Sequence, residues 1–455
     1  MKILSVFSGD GLRGRSLRSA FFTLLNTGSE NLLRLVGNLV LTRLLFPEAF
    51  GIMALVQVVI TGLRMFSDMG IRMSIIQNER GEDPAFLDTA WTLQVGRGVV
   101  LWLATWLAAG PVAAFYDIPI LAELLPVAGL VALFQGLNST KLVSANRKLV
   151  LGRVTLLELS TQVAGLLVLI ALAYLWQSVW ALVVGSLVAP FLLMVASHLS
   201  MPGRINRFRF EPAAARELVR FGKYIFLSTI AGFLVLQADR AILGKYVSLS
   251  DLALYTIALM LASIPLLVQR KLSDRVLLSL YSRCPPGESA ENYNNIARAR
   301  LLVVGGSVAM AGVLALVGNW LAVVLYDPRY EAAGPLLVLM AIATLPGVIT
   351  KGYATMVVTR GDSGRYAALM MTSAFLRVAV LLVGVSWYGV IGAALSPLVA
   401  NILFYPALLW FIWPYKGWVP RQDIGFALAG CVIAALAVWL NQDVLRQALD
   451  VFALP

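Results

Sequence analysis

Four cations stand inside apolar stretches of this chain: Arg34, Arg97, Lys351 and Arg377. A charge at mid-membrane costs at least ~2.5 kcal/mol on insertion scales, so it faces a bundle interior or a wet cavity. Arginine suits a diphosphate, because its planar fork offers paired donors. The four therefore read as a substrate-binding set for an anion, expected to line one cleft. Asn31 and Asn38 join Arg34 through the i, i+3, i+7 spacing of one helix face, and Glu30 lies one turn before Arg34. Glu30 is the candidate for ion coupling, since its protonation would alter how tightly Arg34 is held. Gly96 and Gly98 flank Arg97 and leave room for close approach of a helix or a headgroup. Structural alternatives stand beside these roles. Glu30 and Arg34 could lock two helices as a buried pair, and Arg97 and Lys351 could snorkel to the interface. The other carboxylates near apolar segments are Asp68, Glu158 and Asp239. Asp239 adjoins Arg240 and reads as a structural pair, whereas Glu158 has no evident partner.

No enzyme site emerges. His198 is the only histidine, and the two cysteines, Cys284 and Cys431, sit far apart. Neither a histidine-built metal site nor a disulfide framework is expected, and no cofactor. Walker A, HExxH, CxxC and GxSxG patterns are absent. The RGDSGR run at 360–365 is a turn between two helices.

These residues sit in a strongly apolar frame. Of 455 residues, 59% are hydrophobic and 13% charged, a balance that places the chain among polytopic membrane proteins. Apolar segments of helical length recur at about 20–46, 50–68, 88–115, 120–145, 155–176 and 178–199. After a polar stretch they resume at 223–246, 252–272, 297–326, 333–358, 366–387, 390–413 and 424–440. The opening MKILSVFSGDGLRGRSLRS carries cations without the apolar core and small-residue site of a cleavable signal. A net charge of +12 would suit nucleic acid if it were gathered in one basic domain. Instead the cations alternate between loops. One set holds Arg13, Arg15 and Arg18, then Arg64, Arg72 and Arg80, and so on to Lys416 and Arg421. By the positive-inside rule this set, with the N-terminus, is cytoplasmic. Trp176, Trp180, Tyr326, Trp387 and Tyr388 fall at the opposite ends as an interfacial belt.

An internal repeat is legible. FYDIPILAELLP at 115–126 reads against LYDPRYEAAGP at 325–335, with two further matches at offsets of about 203 to 211 residues. The expected fold is all-α: two six-helix bundles related by a pseudo-two-fold along the membrane normal, plus a C-terminal extra helix. The lobes are 1–200 and 223–414, with a basic connector at 201–222 and a tail at 415–455. The connector, through Phe208, Phe210, Leu218 and Phe221, is expected to lie on the inner membrane face as an amphipathic segment or to be a solvated linker. The tail adds one crossing or a peripheral hairpin.

With LTRLLFPEAFGIMALVQVV, FSDMGIRMSIIQ, AWTLQVGRGVVLWL ahead of AAFYDIP, and QADRAILGKYVSLSDLALYTIA, the chain resembles the polysaccharide-transporter (Wzx-type) branch of the multidrug/oligosaccharidyl-lipid/polysaccharide exporter superfamily. The resemblance covers about residues 18–413. It implies a flippase of the bacterial cytoplasmic membrane that moves undecaprenyl-pyrophosphate-linked oligosaccharides between leaflets by alternating access. The implied partners are that lipid-linked oligosaccharide, membrane lipid, and a polysaccharide polymerase with its export machinery, around a monomeric transport unit; nucleic acid is not among them. Two alternatives of the same superfamily are a cation-coupled drug extruder and a peptidoglycan-precursor flippase. A drug extruder exposes acids to cationic ligands, whereas this interior is richer in cations. From another class, a membrane glycan polymerase or ligase is disfavoured by the short outer loops.

Overall fold

The computed structural model describes the backbone of residues 12–67, 70–222 and 226–452. Asp68 and Lys223 lie outside the described residues, as does the side chain of Phe221. Among the described residues every regular element is helical. The chain divides into two compact units, Met1–Ile230 and Ala231–Pro455.

The first unit holds α1 (Leu12–Leu44), α2 (Pro47–Phe66), α3 (Ile71–Gln77), α4 (Pro84–Tyr116), α5 (Leu121–Ala128), α6 (Leu130–Leu137), α7 (Lys141–Arg147), α8 (Leu151–Trp176), α9 (Val179–Leu199) and α10 (Pro212–Gly222). Local chemistry sets several boundaries. Pro47 and Pro84 occupy first helical positions, where the missing N–H costs nothing. Asp83 caps α4 by accepting from the Ala85 N–H at 3.1 Å. Helices α1 and α8 run parallel. Glu30 meets Gln162, Gly37 lies against Leu166, and Leu41 and Leu45 share a core cluster with Ala173. Parallel packing of these two is what first and fifth crossings of an alternating path require.

Residues 201–211, the first half of the connector, run extended. In α10, Ala214 and Leu218 pack with Ile71, Ile75, Phe86 and Ala90. Leu218 is therefore spent on α3 and α4, not on a membrane surface. The apolar face of an amphipathic helix goes to the nearest apolar partner, and here that partner is protein.

The second unit holds most of α11 (Phe226–Tyr246), then α12 (Leu249–Ala262), α13 (Ile264–Leu272), a π-helical turn at Ser273–Leu277, α14 (Leu278–Arg283) and α15 (Ala290–Leu325). It continues with α16 (Ala333–Thr359), α17 (Ser363–Ile412), α18 (Pro420–Leu440) and α19 (Gln442–Val451). Helix α16 is the most buried of the span-length helices and packs against α12, α15, α17 and α18. Helix α17 contains both segments that read as separate crossings. Gly389 breaks it at φ 54° and ψ −131°, a conformation open to a residue without Cβ. The tail resolves into α18, long and apolar enough to cross a membrane, and the short helix α19.

Among the described residues nine helices are long and apolar enough to span a membrane, or up to ten with the bent pair Leu121–Leu137 and Lys141–Arg147. Helices α1 and α11 each carry several charged or amide residues along their length. The YD pairs of the repeat both follow a long helix. Tyr116 ends α4 and Tyr326 follows α15. Trp176, Trp387 and Tyr388 are exposed as a belt requires, but Tyr326 is buried.

Candidate functional site

On α1 the polar stripe splits. Glu30 is half-buried and turned towards α8, where its carboxylate accepts from Asn26 Nδ2 at 3.0 Å and Gln162 Nε2 at 3.1 Å. Arg34 and Asn31 are exposed and Asn38 is half-buried. No ion pair joins Arg34 to Glu30 among the described residues, so the locked-pair alternative is not the arrangement found. Glu158 does have a partner, contrary to the sequence reading. Its carboxylate accepts from the same Asn26 amide nitrogen at 2.8 Å. One amide thus bridges two carboxylates, Glu30 and Glu158, with Gln162 as a further donor to Glu30. Position 158 lacks a sequence signal for this because the bridge joins helices remote in the chain.

Arg97 does not stand alone in an open chamber. Its guanidinium donates to Ser67 Oγ at 3.0 Å and to the Arg64 carbonyl at 2.8 Å. Both groups belong to the C-terminal end of α2, whose last carbonyls lack intrahelical partners. Of its two flanking glycines, Gly98 has the close-packing role: a Cβ there would come within 2.9 Å of the Ala132 carbonyl. Gly96 has no neighbour within 4 Å.

In the second unit Lys351 lies within electrostatic range of Arg377. Lys351 is the exposed residue in a stretch of α16, Gly347–Val357, that is otherwise buried or half-buried. Arg377 of α17 and Arg270 of α13 are its electrostatic neighbours, and both are cations. None of the three forms an ion pair among the described residues. Arg270 was legible only as a loop cation, since it ends an apolar run. Arg377 also acts on Tyr255, whose hydroxyl donates to the buried Asp239 at 3.1 Å. Asp239 is not paired with the Arg240 guanidinium as expected. It accepts the Arg240 backbone N–H at 2.8 Å, while that guanidinium reaches Gln237 at 3.1 Å.

The most enclosed polar group escaped the sequence reading. Arg300 on α15 is 0% exposed, and its Nη2 lies 2.6 Å from Asp423 Oδ1. The other oxygen of Asp423 accepts from Tyr353 at 2.8 Å, Tyr405 at 2.7 Å and Trp418 Nε1 at 3.2 Å. Arg300 also donates to the Ile349 carbonyl at 3.0 Å and stacks 4.1 Å from the Tyr353 ring. The node ties α18 to α15, α16 and α17. Arg300 Nε is left without a hydrogen-bond partner among the described residues, but the node is closed off from solvent, and it ties together the helices that carry Lys351 and Arg377. One signal existed: Asp423 is the only acid between Asp362 and Asp443.

The family model described as "Polysaccharide biosynthesis protein" matches residues 40–303. Lipopolysaccharide biosynthesis protein WzxC of Escherichia coli strain K12 is 21% identical over 400 residues, 86% of this chain and 80% of that one. Succinoglycan biosynthesis transport protein ExoT of Rhizobium meliloti strain 1021 is 23% identical, over 68% of this chain and 62% of its own. Among solved structures, Lipid II flippase MurJ in an inward closed conformation superposes with a TM-score of 0.71 at 11% identity, covering 96% of this chain and 98% of that one. An inward-facing multidrug resistance MATE transporter gives 0.65 at 13% identity, over 85% and 94%.

Proposed function

The chain belongs to the polysaccharide biosynthesis protein family, and from that premise we propose that it is a flippase for lipid-linked oligosaccharide. Its cargo is the undecaprenyl-pyrophosphate-linked repeat unit of a surface polysaccharide, carried across the bacterial cytoplasmic membrane by alternating access. The observation that supports this reading is the set of cations in helices of a membrane protein that lack an ion-pair partner among the described residues: Arg34, and Lys351 with Arg377 and Arg270. Placing like charges together in a low-dielectric setting is costly unless an anion joins them. A pyrophosphate supplies that charge, and stripping its water without cations would cost many times the energy of one hydrogen bond. Asn31 and Asn38 offer neutral donors and acceptors for sugar hydroxyls beside Arg34. Arg97 positions α2 rather than binding cargo directly. No bond is made or broken in such a cycle, so no catalytic residue is assigned.

Coupling falls to Glu30, together with Glu158. Two carboxylates held by one amide place two acidic groups side by side, where a proton or a small cation carried by the cycle can join them. Expected partners are membrane lipid, a polysaccharide polymerase and the export machinery.

The test is surface glycan measured in a deletion strain carrying each variant at matched membrane abundance. Arg34→Ala abolishes surface polysaccharide with the protein still inserted, and Arg34→Lys restores it in part, since a point charge lacks the fork. Normal glycan from Arg34→Ala removes this arginine from the path. Normal glycan from the deletion strain itself rejects the function.

A further inference from the structure

The connector is organised in a way that transport does not explain. Between Met201 and Glu211 the chain is extended, yet it is bolted to the protein. The N–H groups of Arg207, Arg209 and Glu211 donate to Asp88 Oδ1, Thr92 Oγ1 and Thr89 Oγ1 at 3.0 to 3.1 Å. Each threonine hydroxyl gives its own proton to a carbonyl one turn back in α4, leaving its lone pairs for the connector. Asn206 is buried and bonded to Ser139 and Thr140. An unstructured linker would need none of these bonds.

Against this fixed backbone the neighbouring side chains point outward. Ile205 and Phe210 are 67% and 60% exposed, while Phe208, 71% exposed, rests its ring 4.7 Å from that of Trp91. Arg207 and Arg209 alternate with them, exposed and without an ion-pair partner among the described residues. The strap follows directly on Leu199, the 80% exposed last residue of the span-length helix α9, so it lies where that helix meets the membrane surface. Large apolar side chains alternating with arginines on a rigid backbone match a headgroup layer, which is apolar on one side and anionic on the other. Soluble acidic partners would match the arginines but not the exposed Ile205 and Phe210.

We propose that residues 205–210 form a membrane-surface anchor for anionic lipid headgroups, with Ile205 and Phe210 inserted at the interface, Phe208 braced on Trp91, and Arg207 and Arg209 on lipid phosphates. Arg204 is not part of the lipid site, because it lies 3.5 Å from the buried Asp88. The inference is independent of what the protein transports. Because the strap is hydrogen-bonded to α4, lipid charge bears on the helix that also carries Arg97.

The test uses the full chain with Cys284→Ser and Cys431→Ser, and a spin label at Phe210→Cys. The protein is reconstituted in phosphatidylcholine vesicles with or without phosphatidylglycerol. Collision with oxygen is compared with collision with a water-soluble nickel chelate. The expected result is a label that favours oxygen when phosphatidylglycerol is present, and loses that preference when it is left out. Arg207→Gln with Arg209→Gln should abolish the lipid dependence. A label that favours the nickel chelate in both vesicles overturns the proposal and frees the strap for a soluble partner. So does a lipid dependence that survives loss of both arginines, or oxygen preference without any lipid dependence. A second label replacing Ile205 guards against a local effect of the Phe210 substitution, and must give the same ordering.

Discussion

Asp423→Asn isolates the contribution of the buried node. The substitution preserves shape, and the new amide oxygen still accepts from the hydroxyls of Tyr353 and Tyr405, 2.8 and 2.7 Å from the present carboxylate. What it removes is the anion 2.6 Å from Arg300 Nη2, with Arg300 0% exposed. An uncompensated buried guanidinium costs about 3–5 kcal/mol. The reverse variant, Arg300→Gln, leaves a carboxylate that keeps three donors, so its loss falls towards the lower end of that range. The double variant restores a neutral pair and is expected to be more stable than Asp423→Asn alone, with a coupling energy of more than about 1 kcal/mol. Unfolding would be followed in detergent by tryptophan fluorescence, for which Trp418 is a reporter within the node. Strict additivity of the two single losses would refute the reasoning, as would an Asp423→Asn loss below about 1 kcal/mol.

Other outcomes follow from single contacts. Glu158→Gln and Glu30→Gln should each shift the pH dependence of glycan export, and the double variant should do no more than either alone; additive shifts would separate the two carboxylates. Arg97→Gln removes charged donors from the end of α2 and should cost about 1–3 kcal/mol of stability, while leaving glycan measurable at matched abundance. Complete loss of export from a normally stable Arg97→Gln protein would return Arg97 to the substrate path. The Arg80 guanidinium and then the Ala85 N–H hold the Asp83 carboxyl below its usual range. A depressed acid stabilises the fold above its unfolded pKa and loses that contribution as pH falls through the folded value. The tie of Arg80 to Asp83 should therefore persist through the usual aspartate range, about pH 4, and loosen only as pH falls below it, read as faster hydrogen exchange across 205–215 that Asp83→Asn makes less steep.

The helices were legible because hydropathy and period are local properties. The proline at position 47, the aspartate at 83 and the alternating loop cations can be read without knowing what touches what. The remainder depended on contacts between distant segments. Glu158 is one polar residue in an apolar run until α8 lies parallel to α1 and Asn26 reaches both carboxylates. Arg300 sits near the start of a helix, where sequence alone suggests a solvated cation, until α18 delivers Asp423 to it. The expected interfacial role of Leu218 failed for the same reason, since α3 and α4 supply an apolar surface that no window on the connector contains.

The cations then sort by what they have to give. Arg300 is paired with a buried carboxylate and Arg97 is bonded to a helix end. Arg34, Lys351, Arg377 and Arg270 have no ion-pair partner among the described residues, and Lys351 feels the charge of both Arg377 and Arg270. Like charges held close in membrane helices are costly, and an anion bound among them would offset that cost. The paired arginines supply the rigidity that makes this tolerable: the node holds α16 and α17 in place against the repulsion between Lys351 and Arg377. Weakening the node should therefore impair export before it unfolds the protein. Asp423→Asn cells, assayed at a temperature where the protein remains inserted, are expected to show reduced surface glycan. Full glycan under those conditions would mean that the free cations hold their places without it.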